Sequence, residues 1–265
     1  MKVGALEILP VLDGTARLPA TAAFSAQAGR GADPDDWAPH RQFMDADGRL
    51  ELALGGFLIR VGDRVVLVDA GVGRINNGTF AGGQLLDALA GYGVTPADVT
   101  DVIFTHLHFD HVGWATQQGE VVFTHATYRC DERDWAHFVG PHPKATRKLS
   151  PITDRLSTWS TDGTILPGLD AMVAPGHTPG STIVVVSSGE DRALLLGDVV
   201  HCPVELLDDE WAGLGDVDPE LARRTRIALS RELEGRDTPV AAAHFPGLQF
   251  GRVLGAKGQR SWVFS

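Results

Sequence analysis

Between Thr105 and Gly113 the chain reads Thr-His-Leu-His-Phe-Asp-His-Val-Gly, so three imidazoles and one carboxylate fall within six positions, His106 to His111. Neutral imidazole nitrogen and carboxylate oxygen are the donors that a borderline divalent ion such as zinc prefers. The preceding Asp101-Val102-Ile103-Phe104 is an apolar run that reads as a buried strand. At the end of an extended segment His106 and His108 point the same way, because side chains two apart share a face. Asp110 and His111 then fall on a turn beyond the strand and can serve a second ion. Such a cluster would do hydrolysis. Two divalent ions about 3.5–4 Å apart share a water, lower its pKa from 15.7 toward about 7 and supply hydroxide at neutral pH. No Ser or Cys triad is then required, and no Gly-x-Ser-x-Gly elbow is found in the chain.

A metal site is rarely closed by one local motif, so distant donors in matching contexts are the test. Pro175-Gly176-His177-Thr178-Pro179-Gly180 follows an apolar run and sets one His on a loop bracketed by glycine and proline. Leu194-Leu195-Leu196-Gly197-Asp198 ends a strand-like run with an acid, Ala241-Ala242-Ala243-His244 ends another with a His, and Val66-Leu67-Val68-Asp69 ends a further one with an acid. Strand ends that deliver His or Asp to one sheet edge place a site on rigid elements. Alone, His177 or Asp198 would read as a surface loop residue, and Asp69 as a cap for the Gly71–Gly73 turn; together they read as ligands and a ligand partner.

The elements that must carry these residues are legible in outline. Val3 to Leu12 reads as a strand ending at Asp13-Gly14, and Phe57–Val61 with Val65–Asp69 as a hairpin turned at Gly62-Asp63. Gln84 to Tyr92 reads as a helix, and Thr95-Pro96-Ala97-Asp98 carries a helix-start signature. Ala171–Ala174, Thr182–Val186, Ala193–Leu196 and Val240–Ala243 read as strands. Asp218-Pro219-Glu220 opens a helix whose Ala222, Thr225, Leu229 and Leu233 share one stripe. Strands rich in Val, Ile and Leu with helices between them give an α/β fold of stacked layers. Residues 15–55 are rich in Ala, Gly and Pro and show no clear period; a connection that long is usually functional, and it reads as a flap over the site.

The pattern resembles the metallo-β-lactamase superfamily from about Phe57 to Gly247. The resemblance implies a single domain over residues 1–265, an αβ/βα four-layer sandwich with the site at one edge. It implies that His106, His108 and His177 hold a first metal, that Asp110, His111 and His244 hold a second, and that Asp198 bridges the two, with Asp69 orienting ligands from behind. The cofactors implied are two divalent ions, zinc first, with manganese, cobalt or iron suited to overlapping donor sets. Asp110 sets the chain apart from β-lactamases that use cysteine at the second metal. The segments Ala242-Ala243-His244-Phe245-Pro246-Gly247 and Gly197-Asp198-Val199-Val200-His201 look like methyl parathion hydrolase and its lactone- and aryl-ester-cleaving relatives. N-acyl homoserine lactonases share the ligands but carry a Tyr where this chain has His201, which counts against homoserine lactones here. The implied activity is therefore a hydrolase using dimetal-bound hydroxide on lactones or aryl and activated esters, with organophosphate triesters as a variant. Asp110 and His201 are the candidates to relay the proton. Glyoxalase II-like thioester cleavage is the alternative, and an iron-dependent persulfide dioxygenase a more distant one.

Composition narrows the partners. With 265 residues the chain can build a full core. Its formal charge of −11 argues against nucleic acid, because phosphate neutralisation needs clustered Lys and Arg. Two cysteines, Cys130 and Cys202, fit a reducing compartment rather than a disulfide framework. No apolar run of about 18 residues predicts a membrane span, and the N-terminus lacks a secretory pattern, so the cytoplasm is the default. The expected partner is a small lactone or ester; a homodimer is left open.

Overall fold

The computed structural model describes residues 1–25, 33–213, 215–256 and 259–265. Two sheets divide the chain almost at its middle. The first takes the main strands in chain order: β1 (Leu6–Pro19), β2 (Arg49–Val61), β3 (Arg64–Val68), β4 (Asp101–Ile103), β5 (Thr127–Asp131) and β6 (Leu156–Trp159), with the two-residue pieces Lys2–Val3 and Phe80–Ala81 both on β1. The second does the same with β7 (Gly163–Leu166), β8 (Leu169–Val173), β9 (Thr182–Ser188), β10 (Asp191–Leu195), β11 (Val240–Ala241), β12 (Gly251–Ala256) and β13 (Gln259–Phe264). Antiparallel pairing dominates the second sheet, while the first is mixed. Parallel pairing is confined to β3–β4, β4–β5 and β5–β6 in one sheet and β10–β11 in the other. These are the joins that need crossover connections, helical in each case except β4–β5, where residues 104–126 hold no helix.

Period-two alternation sorts the side chains into layers. Leu58, Leu67 and Val102 face out, where they meet Leu85 and Leu89 of helix α1 (Leu85–Gly91), Phe138 of α2 (Glu132–Phe138) and Leu149 of α3 (Pro143–Leu149). Their neighbours Phe57, Ile59, Val66, Val68 and Ile103 face in and pack on Val184, Val186, Ala193 and Leu195 of the second sheet. The other face of that sheet, Ile183, Val185, Leu194 and Val240, meets Leu229 and Leu233 of α4 (Pro219–Leu233). Helix, sheet, sheet, helix is the four-layer sandwich expected.

Two local readings change. The first strand does not stop at Asp13-Gly14. It bulges there and runs on to Pro19, paired with β2 from Gly14↔Leu54 to Pro19↔Arg49. Residues 15–19 and 49–55 are therefore regular hairpin rather than aperiodic connection, since alternation is weak where Ala, Gly and Pro supply the strand. Between them lie Ala20–Ala23 and the helical turns of Pro34–Phe43, and residues 26–32 of the expected flap fall outside those described. Phe24, Trp37 and Phe43 bury themselves with Cys202, Val204 and Trp211 in a separate small core. On α4, Ala222, Leu229 and Leu233 are buried as expected, but Thr225 is half-buried and Arg226 is buried in its place.

Candidate metal centre

Every sequence-predicted donor comes from a segment that leaves a strand at the same edge. The backbone from Phe104 to Val112 follows β4, His177 follows β8, Asp198 follows β10 and His244 follows β11. Close backbone packing fixes these loops. A side chain at Gly113 would put a Cβ 2.0 Å from the carbonyl carbon of Val72, and one at Gly176 (φ 136°) would put it 2.3 Å from the Ala222 amide nitrogen. Asp69 itself sits at φ 61°, a left-handed conformation that a non-glycine residue adopts only when its surroundings enforce it.

Two donor groups result: His106, His108, His177 and Asp198 in one, and Asp110, His111 and His244 in the other, each with its ligand atoms within 4.8 Å of one another. His108 Nδ1 stands 3.0 Å from His106 Nε2 and 2.9 Å from His177 Nε2, and Asp198 Oδ2 is 3.6 Å from each of those two Nε2 atoms. Asp198 reaches the second group as well, with Oδ1 3.2 Å from His111 Nε2 and Oδ2 3.2 Å from His244 Nε2; Asp110 Oδ2 is 3.6 Å from the latter. The carboxylate thus lies between both groups, as a bridging ligand must.

The partners behind the imidazoles fix their protons. His111 Nδ1 donates to Asp69 Oδ2 at 2.9 Å, His177 Nδ1 to Asp216 Oδ1 at 3.1 Å and His244 Nδ1 to the Ala53 carbonyl at 2.8 Å. Thr105 donates its hydroxyl to Asp69 Oδ2 at 2.8 Å, which leaves Thr105 Oγ1 to accept from His106 Nδ1 at 3.2 Å. In all four rings the Nε2 lone pair is thereby turned into the cavity, the tautomer that metal ligation needs. Convergent lone pairs repel unless a cation sits among them. Buried His111 Nε2 and Asp198 Oδ1 also have no hydrogen-bond partner although they face each other. The donor set fits two divalent cations.

Charge in the cluster follows burial and the acids. Burial, then the neighbouring imidazoles, push His106 well below its usual value and His108 down to about 4, and His177 is lowered as well. Burial opposes a charge on His111 and His244 too, but Asp198 outweighs it and raises both. Asp198 stays anionic, since four surrounding imidazoles overcome the penalty of its burial. His201 lies in the same wall, its Nε2 3.4 Å from Asp198 Oδ2 and its ring 5.9 Å from that of Phe24. Against the cost of its burial, Asp198 and then Glu205 raise it to about 10.

Several supporting residues carry no sequence signal. Asp134 at the start of α2 accepts from Leu107 N (3.1 Å), Thr178 Oγ1 (3.0 Å) and Gly180 N (2.6 Å), tying the His106–His108 loop to the His177 loop. Asp13 is a buried acceptor for Gly73 N, Gly83 N, Leu85 N and Trp114 Nε1, which pins the turn after Asp69 beneath the site. Asp216, Glu205 and Arg226 form a buried ion cluster behind His177 and His201. All but Glu205, four residues from His201, belong to segments distant in sequence from what they hold, so spacing could not reveal them. Both cysteines are free and buried, and burial raises both thiols far above their usual range.

Comparison with known proteins places this geometry. The family model of the metallo-beta-lactamase superfamily matches residues 56–244, from the β2–β3 hairpin to the last donor. The chain belongs to that superfamily and is a metal-dependent hydrolase. An N-acyl homoserine lactonase of Bacillus thuringiensis is 26% identical over 208 residues, 72% of this chain and 80% of the relative. Metallo-beta-lactamase domain-containing protein 1 of Xenopus laevis is 30% identical over 192 residues, 70% of each chain. Among solved structures, the dizinc quorum-quenching lactonase AidC superposes with a TM-score of 0.86 at 22% identity, covering 99% of this chain and 95% of that one. The hydrolase AbOPH gives 0.83 at 23%, covering 100% and 95%. No helix among the described residues is long and apolar enough to cross a membrane.

Proposed function

We propose that this chain is a lactonase that opens lactones bearing an apolar acyl substituent, with activated aryl esters and phosphotriesters as slower substrates. His106, His108 and His177 would hold one zinc ion, Asp110, His111 and His244 the other, and Asp198 both. When bound, such a pair supplies Lewis acidity and ionises water at neutral pH. The residues do the rest. Asp110, with its side chain only 11% exposed beside His244, is placed to take a proton from the attacking water and return it to the departing oxygen. The acyl–oxygen bond breaks as the new carbon–oxygen bond forms, leaving a carboxylate and a free hydroxyl. His201 donates an N–H from the opposite wall toward the carbonyl or ring oxygen. Phe24, its ring 5.9 Å from that of His201 and 6.2 Å from that of Trp37, backs the His201 wall.

The observation that carries the lactone reading is the ground beside His108. A groove of about 410 Å³ opens there, lined mainly by Val72, Leu107, Phe109, Val112 and Phe138, with His142, Lys144 and Lys148 also in its lining. Phe109 is 54% exposed directly between two donors, where an acyl chain would cover it. Relatives described as N-acyl homoserine lactonases support the same class.

The test is a substrate panel on zinc-loaded protein: lactones of graded acyl length, dihydrocoumarin, p-nitrophenyl esters, a glutathione thioester and a phosphotriester. The expected result is kcat/KM highest on lactones and rising with acyl length, with Phe109→Ala flattening that rise. Thioester turnover above lactone turnover would reassign the chain to glyoxalase II-like chemistry, and failure on every substrate would remove the proposal.

A further inference from the structure

The helix that closes the second sheet carries a charge where its apolar stripe should continue. Arg226 of α4 is 2% exposed, and so is Glu205, one of its two acidic neighbours; the Asp216 side chain is 1% exposed. Burying these charges is costly unless each is paired. The pairing is a hydrogen bond to Asp216 and a looser ion contact to Glu205, whose Oε1 and the facing Nε have no hydrogen-bond partner. Arg226 Nη2 donates to Asp216 Oδ2 at 2.8 Å and Nη1 lies 3.5 Å from Asp216 Oδ1, while Nε lies 3.7 Å from Glu205 Oε1 on the other side. One planar guanidinium therefore spans two carboxylates.

Asp216 holds an imidazole of the site, and Glu205 holds the backbone that presents another. Asp216 Oδ1 accepts from His177 Nδ1 at 3.1 Å. Glu205 Oε2 accepts the backbone amides of His201 (2.6 Å) and Cys202 (3.1 Å) and stands 3.5 Å from His201 Nδ1. The two rings are themselves neighbours, with centroids 4.8 Å apart. α4 and the two residues before it grip the same loop: Thr225 Oγ1 donates to the Pro175 carbonyl at 2.8 Å, Val217 N to the His177 carbonyl and Asp218 N to the Gly176 carbonyl, both at 3.0 Å. Those contacts already fix the backbone of the His177 loop. What they leave free is rotation of the His177 ring and the placement of His201, and the Arg226 cluster acts on those two.

We infer that Arg226 is a positioning residue shared by the first metal site and the His201 wall: through Asp216 it holds the His177 ring with Nε2 toward the cation, and through Glu205 it holds the segment that presents His201. The inference rests on His177 being a metal ligand and deepens the proposed function by linking metal retention to turnover. A guanidinium suits this role and an ammonium does not, because only the planar fork reaches two carboxylates in fixed directions.

The test uses zinc-loaded protein and four variants: Arg226→Lys, Asp216→Asn, Glu205→Gln, and the first two combined. Zinc release to an excess of chelator is read beside kcat, KM and Tm. Arg226→Lys should release zinc about 10-fold faster and lower kcat by a similar factor, with KM little changed, as loss of a partner behind a metal ligand does. Asp216→Asn should accelerate release by about 10–100-fold, and adding Arg226→Lys should accelerate it no further, since both act through His177. Glu205→Gln should leave zinc release at the wild-type rate and lower kcat alone. Wild-type zinc release and kcat in Arg226→Lys, with only Tm reduced, would overturn the inference, as would multiplication of the two effects in the double variant. If Arg226→Lys does not fold, Asp216→Asn decides, and wild-type zinc release there overturns it. A wild-type protein without zinc would remove the ligand reading itself, whereas a zinc-loaded, active wild type with unaffected variants removes only Arg226.

Discussion

Asp69→Asn separates the two halves of the centre with the smallest change in shape. The carboxylate accepts three hydrogen bonds: Thr105 N on Oδ1 at 2.8 Å, and Thr105 Oγ1 (2.8 Å) and His111 Nδ1 (2.9 Å) on Oδ2. An amide keeps one oxygen. If that oxygen stays on the Thr105 amide, the NH2 group faces His111 Nδ1–H, donor against donor. His111 must then move its proton to Nε2, the atom aimed at the second cation. A partner lost from behind a ligating His costs about 10–100-fold in metal affinity, which is about 1.4–2.7 kcal/mol. A buried hydrogen bond to a charged group contributes about 1.5–3 kcal/mol, so the two estimates agree. His106 feels the change only through Thr105, so the first ion should loosen less. The assay is zinc titration against a chromophoric chelator, fitted with two sites. The expected outcome is one ion held near wild-type strength and one weakened about 10–100-fold. Two ions at wild-type affinity, or a first ion weakened more than the second, would refute the assignment of His111's proton.

Other perturbations read other parts of the structure. Asp13→Ala strands four donors beneath the site, three of them in buried bonds, and at about 1–3 kcal/mol for each buried unsatisfied group the unfolding free energy from urea titration should fall by at least about 3 kcal/mol, lowering the midpoint. An unchanged midpoint would show that water reaches those donors. His201→Phe should keep both ions and alter kcat or substrate preference, since His201 belongs to neither donor group; loss of zinc in this variant would make it a ligand. Neither Cys130 nor Cys202 should react with a thiol reagent in the native protein at pH 8, because burial holds both as thiols, and both should react after unfolding. Fast labelling of the folded protein would contradict that burial.

The donors were legible in the sequence because metal chemistry restricts residue type and strand ends restrict position. His106 to His111 is local, and Asp69, His177, Asp198 and His244 each close an apolar run. The layers were legible for the same reason: Leu58 against Ile59, or Leu67 against Val68, shows a period of two once the strands are placed. What escaped was whatever depends on tertiary proximity. Asp134, Asp13 and Arg226 are ordinary charged residues in sequence and become buried partners only when α2, β1 and α4 reach the site. The hairpin beyond Asp13 escaped because a bulge shifts its register, and because Ala16, Ala53 and Pro19 lack the bulk that makes alternation visible.

Metal stoichiometry of Asp198→Ala beside the wild type tests the central claim most directly, because the Asp198 carboxylate lies 3.2–3.6 Å from donor atoms of both groups. The wild type should carry about two zinc ions per chain and turn over a lactone, while the variant should lose both ions under the same dialysis, with turnover lost as well. A wild type holding one ion, or a variant that keeps two, would contradict a shared carboxylate at the heart of a paired centre.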